Sequence, residues 1–369
     1  MKRSDSAIPG LQYYRGVAAS LVVLYHAACM FGPTGYAPVQ SWEIVFLFGH
    51  AGVELFFVLS GFIICWIHLN RLEIPGEMAS YIRKRLVRIY PPVLLVVGAW
   101  AALRLASGDA MRPEEYLVSL TLLPFNPYYA PPALWTLTHE MAFYTLFLVA
   151  FWRREAFFAL VLIWGVSGFA FHQLTLFPHQ GSLNALLGSP YAFLFGLGVI
   201  ACLIVRQRPA PTRWVKILLA LLGLALFVWA SFADVHLQLA GGDAITTRRA
   251  ARCLTPLFGL AGFLWIIVLA DSRTRLRGMT HRTLMLLGNA SFAIYLWHEL
   301  PQRAFAHYLV ASGLGLVQYR FWAIAIVSLS GVSLGIMVYW FVERPLLRWL
   351  NQVLGRRGGS QKNQTIIDT

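Results

Sequence analysis

The segment LQYYRGVAASLVVLYHA, residues 11–27, sets an arginine and a histidine in an otherwise apolar run. Arg15 and His26 are eleven positions apart, close to three helical turns. On a helix they share a face, about 16 Å apart along the axis. A guanidinium grips phosphate through a fork of N–H donors. A neutral imidazole can take the proton of a hydroxyl. In HAGVELFFVLSGFII, residues 50–64, Glu54 adds a carboxylate that needs a partner or a proton inside an apolar run. In YIRKRLVRIYPP, residues 81–92, Arg85 and Arg88 stand three apart on one helical face, with Arg83 and Lys84 adding charge. LWTLTHEMAFY, residues 134–144, carries Glu140, whose neighbour His139 points elsewhere on a helix. GNASFAIYLWHE, residues 288–299, carries His298, and YWFVERPLLRWL, residues 339–350, carries Glu343 and Arg344 before Pro345. Together these residues suit a phosphate-bearing donor held by cations and a proton transfer at an imidazole.

Each also has a plainer reading. Arg15 alone suits a boundary residue that snorkels to the surface, and His26 alone suits a packing histidine. Glu54 suits a hydrogen-bond partner for another helix. The basic loop suits orientation only, and Glu343 with Arg344 reads as a structural charge pair at a helix end. Trp135 and Trp297 suit an interfacial belt. The shared face of Arg15 and His26 weakens the plain reading of both.

These side chains must be positioned by membrane helices. The chain has 369 residues, of which 58% are hydrophobic and only 12% charged. Its mean hydropathy is +0.62. A soluble chain would carry about 25% charge. Apolar runs of about 20 residues recur along its length, which fits spanning helices and is too long for barrel strands. The sequence predicts an all-α polytopic membrane protein with about ten spans: 11–31, 42–68, 91–107, 134–152, 156–176, 188–205, 214–234, 253–271, 283–300 and 320–342. With both termini cytoplasmic, the inner segments hold 22 of the 30 Lys and Arg residues, as the positive-inside rule requires. Residues 1–10 form the cytoplasmic N-terminus, 11–350 one membrane domain, and 351–369 a flexible cytoplasmic tail.

The formal charge of +14 follows from that loop bias and gives no reason to expect nucleic acid. The four cysteines, Cys29, Cys65, Cys202 and Cys253, show no CxxC and no His–Cys metal spacing. They read as packing residues, although Cys29 lies one turn from His26, where an acyl-thioester is conceivable. No metal site is visible in the sequence. Gly52 and Gly61 would let another helix approach closely. No internal repeat of the transporter kind is visible.

The motifs LQYYRGVAASLVVLYH, GVELFFVLSGFII, RKRLVRIYPP, LWTLTHEMAFY, SFAIYLWHE and FVERPLL stand in this order. The chain thereby resembles the acyltransferase 3 family of bacterial membrane O-acyltransferases from about residue 8 to 350. It looks most like the stand-alone exopolysaccharide acetyltransferases. The resemblance implies acyl transfer, usually of acetyl from acetyl-CoA, to a carbohydrate hydroxyl at the bacterial inner membrane. It implies His26 as the essential histidine, with Glu54 and Glu140 as catalytic carboxylates. It implies Arg15, Arg85 and Arg88 at the acyl-CoA, which arrives from the cytoplasm. Met141 stands where relatives often have a second acidic residue, which weakens any scheme with two carboxylates there. Some relatives pass the acyl group to a hydrolase-like domain. The absence of one here implies that the chain completes transfer itself or hands over to a separate partner. The partners implied are acyl-CoA, a carbohydrate acceptor and the lipid bilayer, with the oligomeric state open. A transporter or flippase without acyl chemistry, or a non-enzymatic assembly factor, would carry intramembrane charges equally well.

Overall fold

The computed structural model describes residues 8–31, 44–72, 74–108, 112–124, 128–174, 183–239, 244–271, 276–312 and 316–355. Residues 1–7, the expected tail beyond 355, and the side chains of Arg248, Arg249, Arg252 and Cys253 lie outside the described residues. Every described element is helical: α1 (Pro9–Phe31), α2 (Ala51–His68), α3 (Glu77–Ala106), α4 (Pro113–Thr121), α5 (Trp135–Phe147), α6 (Arg154–Leu174), α7 (Tyr191–Gln207), α8 (Arg213–Leu239), α9 (Ala244–Leu269), α10 (Gly278–Asn289), α11 (Ser291–Trp297), α12 (Glu299–Ala311), α13 (Leu316–Val338) and α14 (Arg344–Gly355). Shorter helical turns accompany them.

Seven helical segments are long and apolar enough to cross a bilayer: Pro9–Phe31, Phe48–Arg71, Glu77–Ala106, Pro132–Phe151, Arg154–Phe171, Arg213–Leu237 and Tyr319–Leu354. Tyr191–Gln207 and Leu254–Leu269 are apolar but shorter. Large apolar side chains stand outward on these helices, among them Leu162, Leu218, Trp229, Phe232, Leu329 and Phe341. Such a surface suits hydrocarbon rather than water. The chain is therefore a polytopic helical membrane protein.

Several segments differ from the spans read in the sequence, among them the helix that begins at Ala244 rather than near residue 253. The third helix begins at Glu77, not near residue 91, because RKRLVR and the Pro91–Pro92 pair both lie inside it. A double proline removes two helical N–H donors, which is why it reads as an end. The region 283–300 is not one regular helix but α10, α11 and the start of α12. The i→i−4 backbone bonds nevertheless run through the joints at Ala290 and His298. Pro301 has no N–H for the Trp297 carbonyl, which accounts for the interruption at His298. Likewise α14 continues to Gly355, five residues into the segment read as a tail.

The chain divides into two compact units. The first comprises residues 1–52, 87–96 and 272–369. In it α1 packs against α10, α11, α12 and α13. Small residues set these distances. A Cβ on Gly288 would lie 2.1 Å from the Gln12 carbonyl oxygen, and one on Gly52 would lie 2.3 Å from that of Ala18. Ala27, Ala28, Phe31, Ala306, Ala323, Ile324 and Val327 form one buried cluster. A π-helical turn, Tyr339–Glu343, joins α13 to α14 just before Pro345.

The second unit comprises residues 53–86 and 97–271. Here α2 and α7 cross at Gly61 and Gly198, with Phe143 stacked on Phe195 at 4.2 Å beside the crossing. Arg206 of α7 donates to the Trp66 carbonyl and lies 4.7 Å over its ring. Glu115 of α4 accepts from Arg104 at 2.9 Å and faces Arg112 at 3.6 Å. Charge-assisted bonds of this kind contribute about 2 kcal/mol. Glu115→Ala is therefore expected to lower the apparent melting temperature of the detergent-solubilised protein, while a Glu115→Gln variant loses less. Equal melting of all three proteins would refute this.

Candidate active site

In the first unit α1 is helical throughout from Arg15 to His26, so the shared face read from the spacing holds. Helicity here follows from a run of apolar and alanine residues with no proline after Pro9, which takes the first position. His26 is half-buried. Its Nδ1 lies 3.0 Å from the Val22 carbonyl oxygen and 3.0 Å from Nε2 of His298. The two rings tilt at 48° with centroids 4.9 Å apart. His298 is fully buried, and its Nδ1 lies 2.8 Å from the Tyr295 carbonyl and 3.1 Å from that of Ile294.

These partners assign the protons. A carbonyl oxygen only accepts, so His298 Nδ1 carries a hydrogen and its Nε2 carries a lone pair. His26 Nδ1 faces two acceptors, the Val22 oxygen and that lone pair, and must itself be the donor. His26 Nε2 is left with its lone pair, the form a general base needs.

Glu299 follows His298 and is buried. Its Oε2 accepts from Arg303 at 3.2 Å, and its Oε1 is buried with no hydrogen-bond partner. Gln302 donates from Nε2 to the Val23 carbonyl at 2.9 Å, fastening α12 to α1. Gly331 of α13 lies against His298, where a Cβ would come within 3.1 Å of the histidine Cβ. Tyr25 meets the His26 ring edge-on at 5.2 Å and the His50 ring at 5.7 Å. One ligand atom each from His26, His298 and Glu299 falls within 4.8 Å of the others. By residue type the three could also hold a divalent cation. Cys29 is a half-buried free thiol.

Arg15 is buried and its Nη1 donates to Gln12 Oε1 at 3.4 Å. Arg88 is half-buried with its guanidinium 6.0 Å over the Phe292 ring. Glu343, read from the sequence as the partner of Arg344, is buried in the π-helical turn and feels the charges of Arg88 and Arg15. Arg344 instead lies 4.6 Å over the Trp340 ring. Glu343 closes the π-helical turn, a feature frequent at functional sites.

In the second unit Arg85 is buried in an aromatic cage. Its guanidinium lies 5.6 Å over Tyr81 and 5.3 Å over Tyr144, and its Nη2 donates to His68 Nε2 at 3.3 Å. Tyr81 donates to the Tyr144 carbonyl at 3.1 Å, and Tyr144 donates its hydroxyl to Glu140. Glu140 thus belongs to the surroundings of Arg85. Such a frame fixes the guanidinium plane, which is what bidentate phosphate recognition requires. Glu54 is buried in the first turn of α2, where the positive end of the helix dipole favours a carboxylate. His139 turns away from Glu140 into the rings of Trp135, Tyr191 and Phe57, with Nδ1 3.1 Å from the Trp135 carbonyl.

The sequence gives His298 no assigned role, pairs Glu343 with Arg344, and does not single out His68 or Glu299. Glu299 stands beside His298 in a quoted motif, and that adjacency was the available signal. His68 has no local signal, since its partner Arg85 is 17 residues away.

An acyltransferase domain matches residues 8–340. The exopolysaccharide production protein ExoZ of Rhizobium meliloti (strain 1021) is 30% identical over 317 residues, covering 82% of this chain and 91% of that protein. Nodulation protein 10 of Rhizobium leguminosarum bv. viciae is 22% identical over 86% of this chain and 87% of its own length. The acyltransferase MdmB of Streptomyces mycarofaciens is 26% identical over 84% and 82%. No solved structure matches the chain significantly.

Proposed function

This chain belongs to the acyltransferase domain family, and on that premise we propose that it transfers an acyl group, acetyl first among the possibilities, from acyl-CoA to a hydroxyl of a surface or exported polysaccharide. The enzyme class follows from the family and sets aside the transporter and the assembly factor. The polysaccharide acceptor takes its support from the name of the exopolysaccharide production relative. The setting proposed is the bacterial inner membrane, with ten crossings and both termini cytoplasmic.

The observation that carries the chemistry is the placement of His26 Nδ1 3.0 Å from both the Val22 carbonyl and His298 Nε2, from which the tautomer is assigned. His26 Nε2 takes the proton of the sugar hydroxyl. The oxygen attacks the thioester carbonyl, and the tetrahedral intermediate collapses to the sugar ester with expulsion of the CoA thiolate. The thiolate takes the proton back from the imidazolium, so an acyl thioester and an alcohol become an ester and free CoA, with the base restored. Arg15, Arg85 and Arg88 hold the phosphates of the donor. Glu140 steadies Tyr144, the ring beneath Arg85. Glu54 serves as the second carboxylate of the reaction.

Losing one charge-assisted phosphate contact costs about 1.5–3 kcal/mol. Arg85→Ala is therefore expected to raise KM for acetyl-CoA by roughly 10- to 100-fold, with a smaller fall in kcat. Arg85→Lys is expected to recover only part, since an ammonium lacks the fork. An unchanged KM in Arg85→Ala would remove Arg85 from the donor site.

The test of the whole reading uses membranes from a host deleted for the gene and from the same host carrying the protein. Both receive labelled acetyl-CoA and the host's de-esterified surface polysaccharide. Free CoA thiol and base-labile label on the glycan are measured. Both should appear together, and only with the protein. CoA release without glycan ester would overturn the acceptor, and neither product would overturn the proposal.

A further inference from the structure

We propose that His298 is the positioning residue of His26, and that the buried Glu299 carboxylate stabilises the imidazolium formed when His26 takes a proton. The proposal rests on His26 as the base.

The two side chains come from elements 272 residues apart, and three features hold them in register. Gln302, one turn beyond His298, donates to the Val23 carbonyl on α1 at 2.9 Å. Gly331 brings α13 against the back of His298. The His298 Nδ1–H meets the Tyr295 carbonyl at 2.8 Å and the Ile294 carbonyl at 3.1 Å in its own helix. The His298 ring is therefore fixed in orientation and in tautomer before any substrate arrives. Its Nε2 lone pair is an acceptor that the Nδ1–H of His26 meets at 3.0 Å. Without it, either nitrogen of His26 could carry the proton. A ring protonated on Nε2 presents a donor to the sugar hydroxyl instead of a base. A carboxylate commonly fills this orienting place. Here an imidazole fills it, and the negative charge sits beside it on Glu299.

Glu299 suits that part. Arg303 holds one of its oxygens, while the other is buried and has no hydrogen-bond partner. A carboxylate oxygen lies within 4.8 Å of one nitrogen of each imidazole, close enough for a charge on His26 to be felt strongly away from water. The same three residues could be read as cation ligands. A cation held by His26 Nδ1 would require a lone pair there, aimed alongside the Val22 carbonyl 3.0 Å away. The hydrogen-bonded pair satisfies that carbonyl, so the geometry favours it.

The experiment compares wild type, His26→Ala, His298→Leu, His298→Gln and Glu299→Gln as full-length protein in the same transfer assay. Each is matched for membrane level and for elution as a single species. His298→Leu is expected to lower kcat at least ~100-fold, with KM for acetyl-CoA within about twofold of wild type. The His298→Gln amide can offer an acceptor near the Nε2 position and should recover at least tenfold over His298→Leu. Glu299→Gln should lower kcat about tenfold. In ¹⁵N-histidine-labelled protein, His26 should be protonated on Nδ1 in wild type and a mixture of tautomers in His298→Leu, a change that mere loss of packing would not produce. If His26→Ala retains wild-type kcat, the base reading falls. If His26→Ala is inactive while His298→Leu keeps wild-type kcat or the Nδ1-protonated tautomer, the positioning proposal alone falls. Stoichiometric Zn²⁺ retained by purified wild type and lost from His298→Gln would also overturn it in favour of a metal centre.

Discussion

His26→Ala is expected to lower acyl transfer by about a hundredfold to ten-thousandfold, with the protein still present in the membrane at wild-type level. With His26 as the proposed base, the proton leaves as the sugar oxygen attacks, so loss of the imidazole should fall on kcat and leave KM for acetyl-CoA nearly unchanged. The arginines proposed to hold the donor lie elsewhere in the sequence and do not touch the imidazole in the contacts described above. Stability should suffer less than activity. His26 is half-buried, and the alanine leaves His298 Nε2 as a neutral acceptor without its donor, a cost of about 1–3 kcal/mol. The measurement is initial rate of CoA release at saturating donor, with protein level read on the same membranes. Full activity in His26→Ala would remove the imidazole from the mechanism, whatever its partners.

Gly198→Leu is expected to abolish accumulation of folded protein, and Gly198→Ala to destabilise it by about 3 kcal/mol. A Cβ on Gly198 would lie 2.0 Å from the Val58 carbonyl oxygen and 2.6 Å from the Phe62 nitrogen. Those are backbone atoms of α2, so no rotamer change relieves the overlap and the two helices must part. Gly61 faces the same crossing from the other side, 2.2 Å from the Phe195 carbonyl oxygen when given a Cβ. Parting the helices would also disturb Phe195, which stacks on Phe143 and packs against Phe57. Gly98 provides the control. It lies in α3 with nothing within 4 Å of an added Cβ. Gly98→Ala should be neutral or stabilising by about 0.5–1 kcal/mol. Detergent melting curves and membrane levels of the three variants decide the matter. Wild-type melting in Gly198→Ala would mean the crossing is looser than its backbone distances state.

The membrane character of the chain was legible because hydropathy and length are local properties. Any run of about 20 apolar residues must satisfy its own backbone in lipid, and no long-range contact is needed to read that. The face shared by Arg15 and His26 was legible for the same reason, since helical periodicity carries it. So were the close approaches at Gly52 and Gly61: a residue without a side chain marks where another backbone comes near. Pro91, Pro92 and Pro301 misled the reading of the edges. Proline signals a lost donor, and only the surrounding structure decides whether the helix stops or continues.

Side-chain partnership was decided by tertiary structure alone. Nothing in LVVLYH or IYLWHE states that His26 and His298 lie 3.0 Å apart, because 272 residues separate them and the pairing depends on which face of α1 meets the joint between α11 and α12. Glu343 is buried in a π-helical turn where it feels the charges of Arg88 and Arg15, while its sequence neighbour Arg344 lies over the Trp340 ring. Arg85 owes its orientation to Tyr144, which is 59 positions away along the chain. The sequence therefore determined which residues could hold a charge or exchange a proton within the membrane segments and roughly where along each helix they lie. The tertiary structure decided which of them touch, because a hydrogen bond is made or lost over a few tenths of an ångström, a precision that periodicity cannot supply.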